Sequence, residues 1–422
     1  MRALLRPLAG LLRSALGVNG MAARLTAIEA KLERLLVPAV AVPAVAVPVV
    51  AVPVGTAGVA QAPVVDTNLM LHQSRGAMLR QMPAGAQRLV SAGCAGVWYF
   101  EWVAQCYGPV PEHVGIEFYM PRPQGLPANV TWIENTASDM AGLADGSADL
   151  MISGQNIEHL WADEVAGFLV EAARVVRVGG TLAVDSPNRA ITQRLNWVHP
   201  EHTIELTAGE MEHLLGLAGF RVSKRAGMWL CRDPRTGRML PYDPNEVDPD
   251  WSMTERLVVA RDHPADSFLW WIEATRGQGA ADRGAIEAYL AGLYAHAWPE
   301  RLRRMQVPKG LPAEVRGDED WVLVGGGVAG VVLYGPYVPL RAGAYRAVFQ
   351  IEGDAGSGWC EVAAAGRVLG RAPVRAGRVV VEFALEGLQF GVEFRCLSDG
   401  GGFSVKRIVE LESGARVVAG PP

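Results

Sequence analysis

Between about residue 86 and residue 226 the chain alternates two kinds of segment, and this alternation limits the fold more than any other feature. QRLVSAG, HVGIEFY, NVTWIEN, ADLMISG, GTLAVDS and FRVSKRA are short runs rich in apolar residues. Longer segments of helical period lie between them. Strands joined by helical crossovers pair in parallel, because each crossover returns the chain to the same end of the sheet. The fold class expected is therefore α/β, with a mostly parallel sheet. The spacing predicts a helix over Glu158–Arg177, with Leu160, Val165, Phe168, Leu169, Ala172 and Val176 facing inward and Gly179–Gly180 stopping it. HPADSFLWWIEATRG reads as the last, antiparallel strand. AIEAYLAGLYAHAWPERLRRM reads as the helix closing a domain over 67–310.

From about Asp318 the helical segments stop. Short Val- and Phe-rich runs separated by glycines continue to residue 415, which reads as an all-β sandwich over 318–415. A polar, Pro/Asp-rich insert, RDPRTGRMLPYDPNEVDPDW, reads as a lid or substrate loop.

The first 36 residues are expected to be helical. Arg2, Arg6 and Arg13 interrupt a run of leucines. That disfavours a secretory signal and fits either an interfacial amphipathic helix or a frayed surface helix. Leu25, Ile28, Leu32 and Leu35 keep a 3-4-3 spacing, so self-association through this helix is expected. Residues 37–66 are mostly Val, Ala and Pro, with Pro38, Pro43, Pro48 and Pro53 precluding a membrane-spanning helix. They read as an extended linker. The formal charge of -5 disfavours nucleic acid as a partner. Five scattered cysteines without CxxC spacing fit the reduced thiols of a cytoplasm.

The chemistry is expected at the carboxyl ends of the parallel strands. In LVSAGCAG, the small residues Ser91, Gly93, Cys94 and Gly96 let a cofactor lie against the backbone. Glu117 ends the next strand, 24 residues after Gly93, where a carboxylate can accept both ribose hydroxyls of a nucleoside. A solvated strand-end glutamate is the alternative. The fourth strand runs into Gly154 and Gln155. The first turn lacks G-x-G-x-x-G, which disfavours a nicotinamide dehydrogenase.

Taken in order, ADLMISGQNIEHL, a helix ending ARVVRVGG, TLAVDSPN and HTIELTAGEMEHLLGLAGFRV resemble the class I S-adenosylmethionine-dependent methyltransferases of the type 11 kind. The resemblance spans about Arg88 to Val222. It implies a Rossmann-like sheet and S-adenosylmethionine bound by Ser91, Gly93, Cys94, Gly96, Glu117, Gly154 and Gln155. Thr136 and Asp139 would stand near the adenine. The chain departs from the family pattern at Ser91, Ala95 and Val97. YGPYVPLRAGAYRAVFQI resembles β-sandwich modules appended to enzymes of bacterial surface-polysaccharide assembly.

Methyl transfer to a hydroxyl calls for a base, and His159, His199 and His202 are the candidates. The latter two lie in WVHPEHTIEL and could equally order that loop; His159 could equally cap or pack. His199, Glu201, His202 and Asp185 could face a divalent ion, but HPEH lacks helical i, i+4 spacing, so no metal is expected. Trp98, Tyr99, Phe100, Trp102, Trp197 and Trp229 are candidates for a substrate face. The expected function is O-methylation of a sugar hydroxyl in surface-polysaccharide synthesis. The expected setting is cytoplasmic, with peripheral contact at the inner membrane. The alternatives are a small-molecule methyltransferase with a structural sandwich, or a non-catalytic adaptor.

Overall fold

The computed structural model describes residues 64–311, 320–353 and 358–413, and the backbone alone at 313–316. The N-terminal helix, its coiled-coil seam and its membrane contact lie outside the described residues, as does all of the linker before residue 64. Among the described residues, no helix is long and apolar enough to cross a membrane.

Helix α1 (Thr67–Leu79) opens this region, its first turn capped by Asp66 Oδ1, which accepts from Leu69 N at 3.0 Å. Then come β1 (Arg88–Ala92), α2 (Val97–Cys106), β2 (Glu112–Glu117), β3 (Val130–Glu134), β4 (Ala148–Gly154), α3 (Ala162–Val175) and β5 (Val176–Pro187). They are followed by α4 (Arg189–Thr192), α5 (Ala208–Leu217), β6 (Phe220–Leu230), α6 (Met253–Ala260), β7 (Ser267–Arg276) and α7 (Arg283–Leu302). The seven strands form one sheet in the order β3-β2-β1-β4-β5-β7-β6. β1 to β5 pair in parallel, and β7 runs antiparallel to both neighbours, as expected of HPADSFLWWIEATRG.

Alternate residues of a strand face opposite sides of the sheet. Val90 and Ala92 of β1 join a buried cluster with Phe168, Leu169 and Ala172 of α3, Met211 and Leu214 of α5, and Ile286 and Leu290 of α7. Ser91 lies among other partners: its hydroxyl bonds His113 at 2.9 Å, and that ring meets Phe100 of α2. A central strand buried on both faces has to be apolar nearly throughout. Four of the five β1 residues are buried. α5 begins with a reciprocal cap: Thr207 N donates to Glu210 Oε2 at 2.7 Å and Glu210 N to Thr207 Oγ1 at 3.3 Å.

The helix expected over 158–177 is shorter at both ends. Residues Ile157–His159 make a 3-10 turn, and Val176 already pairs with Ala148 as the first residue of β5. Sheet pairing takes the end of the apolar stripe, so strand begins before the expected glycine stop.

Among the described residues, eleven strands follow α7: β8 (Ala313–Arg316), β9 (Trp321–Val324), β10 (Ala329–Leu333), β11 (Val338–Leu340), β12 (Gly343–Glu352), β13 (Gly358–Ala364), β14 (Arg367–Pro373), β15 (Gly377–Leu385), β16 (Gln389–Asp399), β17 (Phe403–Lys406) and β18 (Glu410–Ser413). One sheet has the order β10-β16-β13-β14, with β11 also on β16. The other has the order β15-β12-β17-β9-β8, with β18 also on β12. Their facing side chains share one core, with Phe349 and Val381 from one sheet and Val362 and Phe394 from the other. The first strand begins at Ala313, ahead of the boundary expected at 318, because its backbone pairs with β9. Trp298 of α7 packs against this core and against that of the α/β sheet, joining the two.

Candidate active site

The carboxyl ends of β1, β2, β4 and β5 lie side by side. Ala92 stands opposite Ile116, Ser91 opposite Ile152, and Gly154 opposite Asp185. The turns leaving these ends meet. Gly93 has φ 78° and Gly96 φ 93°, a region glycine enters without strain. A Cβ on Gly93 would lie 2.6 Å from Asn156 Oδ1, so the β1 turn touches the β4 loop directly. A Cβ on Gly154 would collide with the Arg75 guanidinium and the Asp185 carboxylate. These two form a buried ion pair, Nε to Oδ1, at 2.8 Å. Gln155 sits at φ 53° and donates to Asp185 Oδ1 from Nε2 at 2.8 Å. A non-glycine residue in that region is sparsely populated and clusters at functional turns.

The side chains of two residues in the expected cofactor turn are taken up inside the protein. Ser91 is fully buried and spends its hydroxyl on His113. Cys94 is fully buried with its sulfur 3.7 Å from the Ile116 carbonyl. Both side chains turn into the core, because both faces of the sheet are covered here; the backbone of this turn is what is left for a ligand. Glu117 is half-buried at the β2 end, and its Oε1 accepts from Tyr119 N at 2.7 Å and Met120 N at 2.9 Å. The carboxylate therefore shapes its own loop as well as facing the edge. Thr136 is half-buried and its hydroxyl bonds Ser138 at 2.7 Å; Asp139 is exposed, with Oδ1 accepting from Ala141 N at 3.1 Å.

The three candidate histidines come together. His199 and His202 stack at 4.3 Å between ring centres, and His159 stands edge-on to His202 at 4.7 Å. His202 donates from Nδ1 to Glu205 Oε1 at 3.1 Å. Glu205 is buried, with Arg301 Nη1 at 3.5 Å and Arg304 Nη2 at 3.8 Å. Against the cost of its burial, His202 and these arginines hold its carboxyl well below the usual range. Arg301 also donates to the His199 carbonyl at 2.8 Å and Arg304 to the Trp197 carbonyl at 2.9 Å. The basic run at the end of α7 therefore fixes the WVHPEH loop from inside. Burial lowers all three imidazoles, His199 to about 3, so they are neutral near pH 7.

Hydrogen-bond partners assign the tautomers. His159 Nδ1 faces the Glu201 carbonyl at 3.3 Å and must donate to it. His202 Nδ1 donates to a carboxylate. Each is left with an Nε2 lone pair. His199 Nδ1 instead accepts from Glu201 N at 3.4 Å.

Sequence reasoning passed over Glu158, Arg75, Glu205, Arg301 and Arg304 as parts of this site. Glu158 precedes His159 and is fully buried; burial, with Asp185 and Glu205 nearby, pushes its carboxyl up to about 8. The available signal was a glutamate adjacent to one candidate histidine and another three residues after the second.

The aromatic candidates divide. Tyr99, Phe100 and Trp229 are core, while Trp98 and Trp102 pack on His72. Trp197 stays half-buried with its ring alongside His199. The β-sandwich meets the same edge. Phe390 faces Tyr119 at 6.1 Å, Gly391 N donates to the Pro200 carbonyl at 3.3 Å, and Arg341 pairs with Asp163 and Glu164 at 3.1 Å each. A separate cavity of about 480 Å³ lies under the insert after β6, between Trp229, Val247 and Arg256.

Residues 90–184, which span β1 to nearly the end of β5, match the family model described as a methyltransferase domain. A "Probable S-adenosylmethionine-dependent methyltransferase" of Mycolicibacterium smegmatis is 42% identical over 89 residues, covering 21% of this chain and 34% of that protein. One of Mycobacterium tuberculosis is 45% identical over 80 residues, covering 18% and 28%. The chain thus spans about a third of the length of the curated relatives it matches. Among solved structures, a SAM-dependent methyltransferase from Archaeoglobus fulgidus is 16% identical, with TM-score 0.36, covering 50% of this chain and 95% of that one.

Proposed function

We propose that this chain is an S-adenosylmethionine-dependent methyltransferase acting on a hydroxyl group, with a sugar as the acceptor class. The observation that carries the reading is the convergence of three turns at one sheet edge. The left-handed Gly93–Gly96 turn, the Glu117 carboxylate and the Gly154–Gln155 loop stand beside a cluster of neutral histidines. The matched methyltransferase segment covers all three turns.

In methyl transfer the acceptor oxygen attacks the methyl carbon as the carbon–sulfur bond breaks. The sulfonium becomes a neutral thioether and the hydroxyl proton leaves. The cofactor carries the reactive carbon, so the protein mainly aligns and desolvates. Here the backbone of 93–96 would take the amino-acid end and Glu117 the ribose hydroxyls. His159, His199 and His202, neutral near pH 7, stand on the acceptor side. Support for a sugar comes from the exposed Phe118 and Tyr119, with Phe390 of the sandwich beside Tyr119, since aromatic faces stack on apolar sugar faces.

Calorimetry with S-adenosylhomocysteine tests this. Binding is expected, and Glu117→Ala is expected to weaken it about tenfold or more, as removal of a charge-assisted hydrogen-bond acceptor does. Glu117→Gln should lose less. No heat and no thermal shift at saturating ligand would leave the adaptor reading.

A further inference from the structure

We infer that Glu158, His159 and His202 form a binding site for a divalent first-row transition ion, which no sequence motif in the chain announces. One ligand atom from each of the three lies within 4.8 Å of the others. The expectation of no metal rested on the spacing within HPEH. The fold instead draws two ligands from the turn after β4 and the third from the loop after β5, so no local spacing could show it.

Three features point to a cation. First, Glu158 is fully buried, and neither of its carboxylate oxygens has a hydrogen-bond partner. Its own backbone N–H and the Ser186 hydroxyl lie nearby, but neither meets hydrogen-bond geometry with it. A buried carboxyl without a partner is costly, and an ion removes that cost. Second, both histidines already have the outer contacts that metal-bound imidazoles use. His202 Nδ1 is held by the Glu205 carboxylate and His159 Nδ1 by the Glu201 carbonyl. Such partners fix the tautomer that presents Nε2 to a metal. Third, Glu205 is itself held by Arg301 and Arg304, so the outer contact is rigid.

Two imidazoles and one carboxylate are the ligand set of an open zinc-type site, which keeps a position for an exogenous oxygen. Ligand atoms around a tetrahedral zinc stand about 3.4 Å apart, given bonds of about 2.1 Å. With the ligand atoms no more than 4.8 Å apart, any closure on binding is at most about 1.4 Å between a pair. That an acceptor oxygen takes the open position rests on the methyltransferase reading; the ion site does not.

The test is titration of the metal-free full chain with Co²⁺, followed by displacement with Zn²⁺. The expected result is one equivalent bound, with the visible absorption of a low-symmetry cobalt site that zinc abolishes. Glu158→Gln and His202→Ala should each weaken binding about tenfold or more. Glu158→Gln keeps the shape of the side chain, and a thermal melt without metal confirms that it folds. Absence of the cobalt absorption in the parent chain overturns the proposal, as does undiminished affinity in folded Glu158→Gln. S-adenosylhomocysteine binding by the metal-free chain is measured separately. Cofactor binding without cobalt binding sinks the ion site alone, and the reverse sinks the methyltransferase reading alone.

Discussion

The two halves of the described chain bury different things. In the β-sandwich the shared core is built almost wholly from aliphatic and aromatic residues, and among the described residues its buried charged side chain is Glu361, paired with Arg395 at 2.7 Å. At the carboxyl edge of the α/β sheet the protein buries Glu158, Glu205, Arg301 and Arg304 around the histidine loop, and Asp185 beside Arg75. Burying charge costs several kcal/mol per ion before any pairing, and well-packed apolar residues of the same volume are often as stable or more so. A fold in need of stability alone would look like the sandwich throughout. The contrast marks the sheet edge as the place where stability is given up for chemistry.

Substitutions that cost equal stability in the two halves should therefore differ in function. Phe394→Ala empties a fully buried site in the sandwich and is expected to lower unfolding free energy by about 3–5 kcal/mol. Arg301→Ala leaves Glu205 with less compensation and is expected to cost a similar ~3–5 kcal/mol. Urea denaturation measures both. Isothermal titration of the folded fraction then separates them: Phe394→Ala should keep S-adenosylhomocysteine affinity, while Arg301→Ala should lose acceptor turnover as the His199 carbonyl is freed. Loss of cofactor binding in Phe394→Ala would break the comparison.

A smaller effect concerns acid. Burial lowers His113 from the ordinary value of 6.5 to about 4. The unfolded chain then binds more protons than the folded one between those values, so stability falls as pH drops from about 6.5 to about 4. Two to three pH units correspond to about 3 kcal/mol at the acid end. His113→Gln keeps a partner for Ser91 and should flatten this limb in a pH series of thermal melts. An unchanged acid limb would assign it to the histidines of the site.

Much of the architecture could be read in the chain before any coordinates. β1 to β5 are apolar runs of strand length because parallel strands are buried on both faces, and the antiparallel strand showed in FLWWIEA. The convergence of Gly93, Glu117 and Gln155 on one edge follows from strand order, which alternation and resemblance together imply. The buried charge network could not be read. Arg301 and Arg304 belong to the helix expected over AIEAYLAGLYAHAWPERLRRM, whose pattern does not show that packing against the WVHPEH loop turns them inward. At Ser91 and Cys94 the sequence pointed to the backbone of the turn but not to where the side chains go: both turn into the core. Glu158 was missed as a ligand because its partner His202 is more than forty residues away in sequence.

The seam between the halves gives the smallest expected effect and the sharpest use of the comparison. Arg341 reaches from the sandwich to Asp163 and Glu164 at the start of α3, with its guanidinium 5.1 Å from the Trp161 ring centre. Asp163 is 68% exposed, so screening leaves that pair worth about 1 kcal/mol or less. A double-mutant cycle of Arg341→Ala with Asp163→Asn is expected to return a coupling of that size. If the sandwich only covers the sheet, acceptor KM will not move with it. If it orients a bulky acceptor against Tyr119 and Phe390, Arg341→Ala should raise KM for a long glycan and leave a short sugar analogue unaffected. Equal effects on both acceptors would confine the sandwich to a structural role.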